Sequence, residues 1–101
     1  MTPVEFHPEA EAEMRATAQW YEARSTGLGQ LFLNAVDVAT ATIAANPEAF
    51  GFAGPDIRRH LVRRFPFGIL YRAERDRVYI LAVAHSRREP NYWKHRLEDQ
   101  P

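Results

Sequence analysis

The sequence predicts one α+β domain: an N-terminal strand, a two-helix antiparallel hairpin packed on a mostly antiparallel sheet, a three-stranded C-terminal meander and a short C-terminal helix. Three observations predict it. Apolar residues recur at three- and four-residue spacing between residues 10 and 43, as on a helix face. From Ile57 to Ala84 the pattern changes to runs rich in β-branched and aromatic residues, separated by short polar turns. The 101 residues suit a single domain over 1–101 with a modest core.

Val4-Glu5-Phe6 alternates and reads as the opening strand. Pro8 followed by Glu9, Glu11 and Glu13 marks a helix start, because the first-turn N–H groups are free and the dipole favours acids there. This helix runs to about Arg24, with Ala10, Met14, Ala18 and Tyr21 on one face, and Ser25-Thr26-Gly27 ends it. A second helix begins near Leu28 and carries the stripe Leu28, Phe32, Ala35/Val36, Ala39 and Ile43. It ends by Asn46, since the residue before Pro47 is pushed out of the helical region. Phe50 to Pro55 reads as a loop. Ile57–Phe65 and Phe67–Ala73 read as strands, with Pro66 between them where it breaks no ladder bond. Glu74–Arg77 is a polar turn. Val78–Ala84, apolar on both faces, is a central strand. Pro90 opens the short final helix of a basic tail.

Composition narrows the function classes. The chain is 46% hydrophobic and 26% charged, with no cysteine, so disulfides and thiolate metal sites are excluded. No apolar run approaches a membrane span, and the first residues lack the regions of a signal peptide. A cytoplasmic protein without membrane association is the expectation. The zero net charge hides an asymmetry: Met1–Asp56 carries two arginines and eight acids (net −6), and Ile57–Pro101 carries eleven Lys plus Arg and five acids (net +6). Such a split suits an acidic or polyanionic partner for the second half, or mutual neutralisation inside one fold. His7, His60, His85 and His95 lack metal-ligand spacing. Gly27-Leu28-Gly29 lacks the preceding strand of a phosphate loop. No cofactor and no metal are expected.

Three stretches carry a family resemblance over Val4 to about Arg96. They are Arg63-Arg64-Phe65-Pro66-Phe67-Gly68-Ile69-Leu70-Tyr71-Arg72; Leu81-Ala82-Val83-Ala84-His85-Ser86-Arg87-Arg88-Glu89-Pro90-Asn91-Tyr92-Trp93; and the hairpin with Trp20-Tyr21 before Gly27-Leu28-Gly29, closing on Ile43 to Pro47. Together they resemble the RelE/ParE toxin superfamily, and its ParE-like branch in particular. The resemblance implies a toxin of a type II toxin–antitoxin system, held in a hetero-oligomer by a cognate antitoxin whose flexible C-terminal part wraps it. It implies DNA gyrase as the target in the ParE branch. In the RelE branch it implies metal-independent cleavage of messenger RNA on the ribosome.

Ribonuclease chemistry needs a base for the 2′-hydroxyl, a cation for the phosphate and an acid for the leaving oxygen. Members of the superfamily that cut RNA carry Arg-Leu-Val-Tyr on the middle strand. The matching stretch here is Gly68-Ile69-Leu70-Tyr71, so Gly68 offers no cation and the ParE reading is favoured. His85 as base, Arg87 or Arg88 as phosphate clamp and Tyr92 as proton donor keep the RelE alternative open. An inactive remnant that only binds its antitoxin is the third reading. The expected target-binding residues are Arg87, Arg88 and Trp93, with Trp93 also read as an anchor for the tail. Arg58, Arg63 and Arg72 are expected to meet the antitoxin, the alternative for such arginines being a solubilising surface.

Overall fold

The computed structural model describes residues 2–98. Strand β1 (Val4–Phe6) leads into helices α1 (Pro8–Arg24) and α2 (Leu28–Ala45), followed by β2 (Phe52–Gly54), β3 (Ile57–Val62), β4 (Phe67–Ala73) and β5 (Val78–His85). The five strands form one sheet in the order β1-β5-β4-β3-β2, with β1 parallel to β5 and every other pair antiparallel. The expected α+β architecture is therefore present, and β5 is an interior strand.

Local chemistry sets the hairpin. Pro8 opens α1, and the His7 ring caps it by accepting the Glu9 N–H at Nδ1 (3.0 Å). The connection passes through Gly27 at φ +89°, where the Glu22 carboxylate accepts the N–H groups of Gly27 (2.9 Å) and Gly29 (3.0 Å). Gly29 lies against α1 so closely that a Cβ there would sit 2.5 Å from the Ala18 carbonyl oxygen. The α2 stripe Phe32, Val36, Ala39 and Ile43 is buried, as its spacing predicts. By length and hydropathy α2 does match a short membrane span, which corrects the expectation that no segment approaches one. Its buried stripe packs in the core, the ordinary fate of a helix apolar on its inner face.

Three boundaries differ from expectation. Phe52–Gly54, inside the expected loop, pairs with β3 across a bulge; so short a strand is set by backbone pairing and leaves no side-chain period to read. Strand β3 stops at Val62, because Arg63–Pro66 turns the chain back into β4, with Arg64 at φ +71°. The final helix is a single 3-10 turn at Lys94–Leu97, and Pro90 stands in the turns before it. Asn91, at φ +65°, keeps those turns from running into a regular helix.

The sheet has two apolar faces. Phe32, Val36 and Ile43 meet Ile69, Tyr71 and Ile80 on the helix face. Leu70, Tyr79, Leu81 and Ala82 meet Trp93 on the other, beneath the tail. Strand alternation alone would put Leu81 and Ala82 on opposite faces. A bulge resolves this: Leu70 pairs with Ala82 and Tyr71 with Ile80, which leaves Leu81 as the extra residue.

That bulge lies where β1 runs out. Beyond the bond from the His7 N–H to the Ile80 carbonyl (2.9 Å), the edge of β5 has no strand beside it. Side chains complete it. The Glu13 carboxylate accepts the Val83 N–H (2.9 Å), and Arg96 Nη1 donates to the Leu81 carbonyl (2.8 Å). The two also pair with each other, Nη1 to Oε1 at 2.8 Å and Nη2 to Oε2 at 3.1 Å. The Tyr92 hydroxyl donates to the same carboxylate (2.7 Å). One acid of α1 thus holds the sheet edge and the tail together.

This packing is tested by substitution and by pH. Phe32→Ala empties the fully buried centre of the helix face and should cost about 3–5 kcal/mol by denaturant unfolding; a loss under about 1 kcal/mol would contradict the packing. Glu13→Gln leaves the buried Arg96 without its counter-charge and should cost about 3 kcal/mol. Burial and the Glu13 carboxylate push the Tyr92 phenol from 10.0 up to about 12, so in Glu13→Gln a tyrosinate titration should return it toward 10. In the wild type the folded phenol keeps its proton to a higher pH than the unfolded one. Stability should therefore be lost as pH rises from about 10 to about 12.

Candidate functional site

The tail folds back over the sheet and lines an open cavity of about 240 Å³. Of the residues singled out from sequence, the cavity gathers His85, Arg88, Tyr92 and Trp93, together with Arg59 from β3. Arg87 is exposed beside it, and its backbone N–H donates to His85 Nδ1 (3.0 Å).

These side chains differ in what they have free. A neutral His85 holding that bond carries its proton on Nε2, so the ring presents a donor and its accepting nitrogen is occupied. It also stands edge-on to Phe67, with centroids 5.2 Å apart. The Tyr92 hydroxyl is engaged by Glu13, and its pKa near 12 makes it a weak acid. Its ring carries the Arg88 guanidinium at 3.9 Å from the centroid. Trp93 is 4% exposed and packed with Leu70, Leu81 and Ala82, so it anchors the tail. Arg87 and Arg88 remain exposed.

Gly68 lies at the floor of this face, and its missing side chain is not an empty place. A Cβ built there would be 2.7 Å from Arg59 Nε and 3.3 Å from Arg59 Nη2. The guanidinium of Arg59, reaching over from β3, occupies the space above Gly68. The cation that the middle strand lacks is supplied by its neighbour.

The three arginines expected to meet an antitoxin are not gathered in one place. Arg58 and Arg72 share a shallow cavity beside β2 with Glu48, Asp56 and Glu74. Arg58 Nη1 donates to the carbonyls of Glu48 (3.1 Å) and Phe50 (2.7 Å), and Arg72 pairs with Glu74 (2.9 Å). Arg63 lies elsewhere, in a groove of about 500 Å³ between α2 and β3. That groove is largely apolar. It presents Leu31 (59% exposed), Val38 (61%) and Leu61 (60%), and beyond Arg59 the outer edge of β3 has no strand beside it.

The histidines serve separate purposes. His7 caps α1, His60 lies against Phe50 with its pKa lowered by burial, and His95 pairs with Glu9 (2.9 Å), whose hydrogen bond raises its pKa. Among the described residues, no cluster of three or more His, Cys, Asp or Glu could hold a metal ion. The residues missed from sequence are Glu13 and Arg96. The signal for the first was available: Glu9 and Glu13 stand four apart along α1, beside Ala10 and Met14 of the inward stripe. For Arg59 the signal is the adjacent pair Arg58-Arg59, since neighbours in a strand point to opposite faces, and strand pairing puts Arg59 over Gly68.

Comparison with known proteins bears on this arrangement. A family model described as the ParE toxin of the type II toxin–antitoxin system parDE matches residues 4–90. Among solved structures, a chain of the chromosomal ParDE TA system from P. aeruginosa superposes with a TM-score of 0.62 at 21% identity, covering 84% of this chain and 96% of that one. At that identity the likeness shows a shared fold. No curated protein sequence matches the chain. With a family model spanning β1 to the cavity and the fold in agreement, the chain belongs to the ParE toxin family of type II toxin–antitoxin systems.

Proposed function

We propose that this toxin arrests growth in the cytoplasm by poisoning DNA gyrase, and that a cognate antitoxin neutralises it by seating in the groove between α2 and β3. The observation that carries the choice of gyrase over messenger RNA is the commitment of the cavity's proton-transfer groups to the fold. Tyr92 is held by Glu13 with its pKa near 12, and His85 accepts the Arg87 N–H. Arg59 and Arg88 supply charge, but cleavage also needs a free base and a ready acid. Loss of even one transition-state contact typically slows such chemistry on the order of a hundredfold or more.

For the antitoxin, the groove offers what a flexible segment needs in order to fold on binding. It has exposed apolar anchors on α2 and an open strand edge that an extended chain can join. Arg63 and Arg64 at its end suit acids in that segment. Arg58 and Arg72, already engaged within the fold, add less.

Purified gyrase with supercoiled DNA should accumulate covalent cleavage complexes when the toxin is added and lose them when the antitoxin follows. Ribosome-bound messenger RNA should stay intact. The double substitution Arg87→Ala with Arg88→Ala should remove the cleavage complexes while thermal melts and antitoxin binding stay near wild type. Codon-positioned RNA cleavage that disappears in His85→Ala would instead place the chain in the RNA-cutting branch. A separate titration tests the groove. Leu31→Asp with Leu61→Asp should leave the toxin active yet weaken the antitoxin by about a hundredfold or more, as expected when two central apolar anchors are lost. Unchanged affinity would move the antitoxin to another face.

A further inference from the structure

Five large apolar side chains stand exposed among the described residues: Trp20, Leu31, Val38, Phe52 and Leu61. Leu31, Val38 and Leu61 belong to the groove between α2 and β3. Phe52 lies under the Arg58 guanidinium, which the loop carbonyls hold in place. Trp20 is left, 51% exposed on α1. The Arg24 guanidinium, one turn further on, stacks on its ring at 3.4 Å from the centroid, and Tyr21 meets the ring edge-on at 5.1 Å. The indole also borders a cavity of about 360 Å³, lined by Ala16, Thr17, Trp20, Tyr21, Phe67 and His85. Ala16, Thr17, Trp20 and Arg24 form one stripe of the helix, because residues three and four apart are neighbours on its surface. Glu13 begins the same stripe, but both its oxygens are engaged by Val83, Tyr92 and Arg96. No carboxylate lines the cavity among the described residues.

We propose that this cavity receives an apolar side chain of the toxin's protein target, on a segment that carries a carboxylate beside that anchor. The inference rests on the reading of the chain as a gyrase-directed toxin, and gives that contact a second half on α1. Trp, Tyr and Arg are the side chains that most often dominate binding at protein interfaces, clustered around a pocket that one anchor fills. A tryptophan already stacked by a guanidinium has less freedom to lose when a partner covers it. The cavity is small-sided at Ala16 and Thr17 and aromatic at Trp20, Tyr21 and Phe67, which suits a group the size of a leucine or phenylalanine side chain. Charge gives the sign of the neighbouring group. Arg24 has only the face of Trp20 among the described residues, and Arg87 is exposed. Cations beside a cavity without acids complement an acidic segment and repel a basic one. His85 lines this cavity and the tail-side cavity alike, and accepts the Arg87 N–H. Its ring therefore joins the Trp20 stripe to the arginines after β5 in one surface. The groove between α2 and β3 shares no lining residue with it, so the antitoxin seat is left apart.

The test measures the affinity of purified toxin variants for purified gyrase, with growth arrest scored in cells that express the same variants. Trp20→Ala should weaken gyrase binding about thirtyfold or more, the worth of a hot-spot residue, and should relieve growth arrest. Antitoxin binding and thermal melts should stay near wild type. Ala16→Gln fills the cavity from an exposed helix position without removing a contact, so it keeps the test open if Trp20→Ala folds poorly; it should weaken gyrase about tenfold. Ala16→Glu, of the same size, should weaken it further, because it sets a carboxylate against the acidic segment. Arg24→Gln should weaken binding and reduce its dependence on salt. Gyrase binding and growth arrest that survive Trp20→Ala and Ala16→Gln in proteins with native melts would overturn the proposal. So would Ala16→Glu binding more tightly than Ala16→Gln, the mark of a basic partner. A loss of antitoxin affinity in Trp20→Ala would assign the cavity to the antitoxin, and a toxin dimer that Trp20→Ala dissolves would assign it to a second copy; either result overturns it. The two readings fail separately. Wild-type toxin that arrests growth without binding gyrase, where Trp20→Ala and Ala16→Glu abolish the arrest, would sink the gyrase reading and leave the cavity as the target contact. Wild-type toxin that neither arrests growth nor binds gyrase would sink both.

Discussion

The carboxylate of Glu13 is the point on which this fold turns. Strand β1 is three residues long and β5 is eight, so part of an interior strand would be left facing α1 with its backbone groups unpaired. Orphaned backbone groups in a protein interior cost about as much as a lost hydrogen bond each. The structure answers with an ion pair in place of a longer strand. Glu13 takes the Val83 N–H, Arg96 serves the Leu81 carbonyl, and each neutralises the other. The desolvation of two charges is offset because nearly all their hydrogen-bonding capacity is used; Arg96 Nε, 3.7 Å from Glu9, is the one buried side-chain nitrogen or oxygen among the described residues without a hydrogen bond.

The second face of the sheet depends on that pair. Leu81 and Ala82 both turn toward the tail because of the bulge, and Trp93 covers them because Tyr92 and Arg96 on either side of it are tied to α1. The cavity beside Arg59 is walled by the same tail. Acids on the first helix and cations near residue 96 therefore account for part of the opposite charge of the two halves. They do not account for all of it: Arg59, Arg87 and Arg88 at the tail side, and Arg63 and Arg64 at the groove between α2 and β3, have no carboxylate partner among the described residues.

How much could be read beforehand varied with the kind of interaction involved. The α2 stripe was legible because helical burial imposes a period, and Phe32, Val36 and Ile43 are fully buried as that period requires. Strands β4 and β5 were legible because both faces are covered and their residues run apolar. Strand β2 was hidden by its length, and the end of β3 by a turn whose Arg64 adopts a positive φ that no local pattern announces. At the candidate site, His85, Arg88 and Tyr92 could be named from their types and their place after a strand. What each is free to do could not, because that depends on partners 70 or more residues away in the case of Val83 and Tyr92 with Glu13. Gly68 shows the same limit from the other side, since a glycine with no side chain proved to lie under an arginine of the adjacent strand.

The clamp also sets an order of events during synthesis. Strand β1 finds its partner only when residues 78–80 exist, and the exposed edge of β5 is closed only by a side chain at residue 96. Chains emerge from the ribosome at roughly 5–20 residues per second, so the helical hairpin is complete seconds before the strand it must pack along. Through that interval α2 has neither its sheet nor a cover for its outer apolar side. A nascent chain of this design leaves its half-made fold open to whatever chaperone or neighbouring chain reaches it first, and its tail-side face is complete only after the tail has docked.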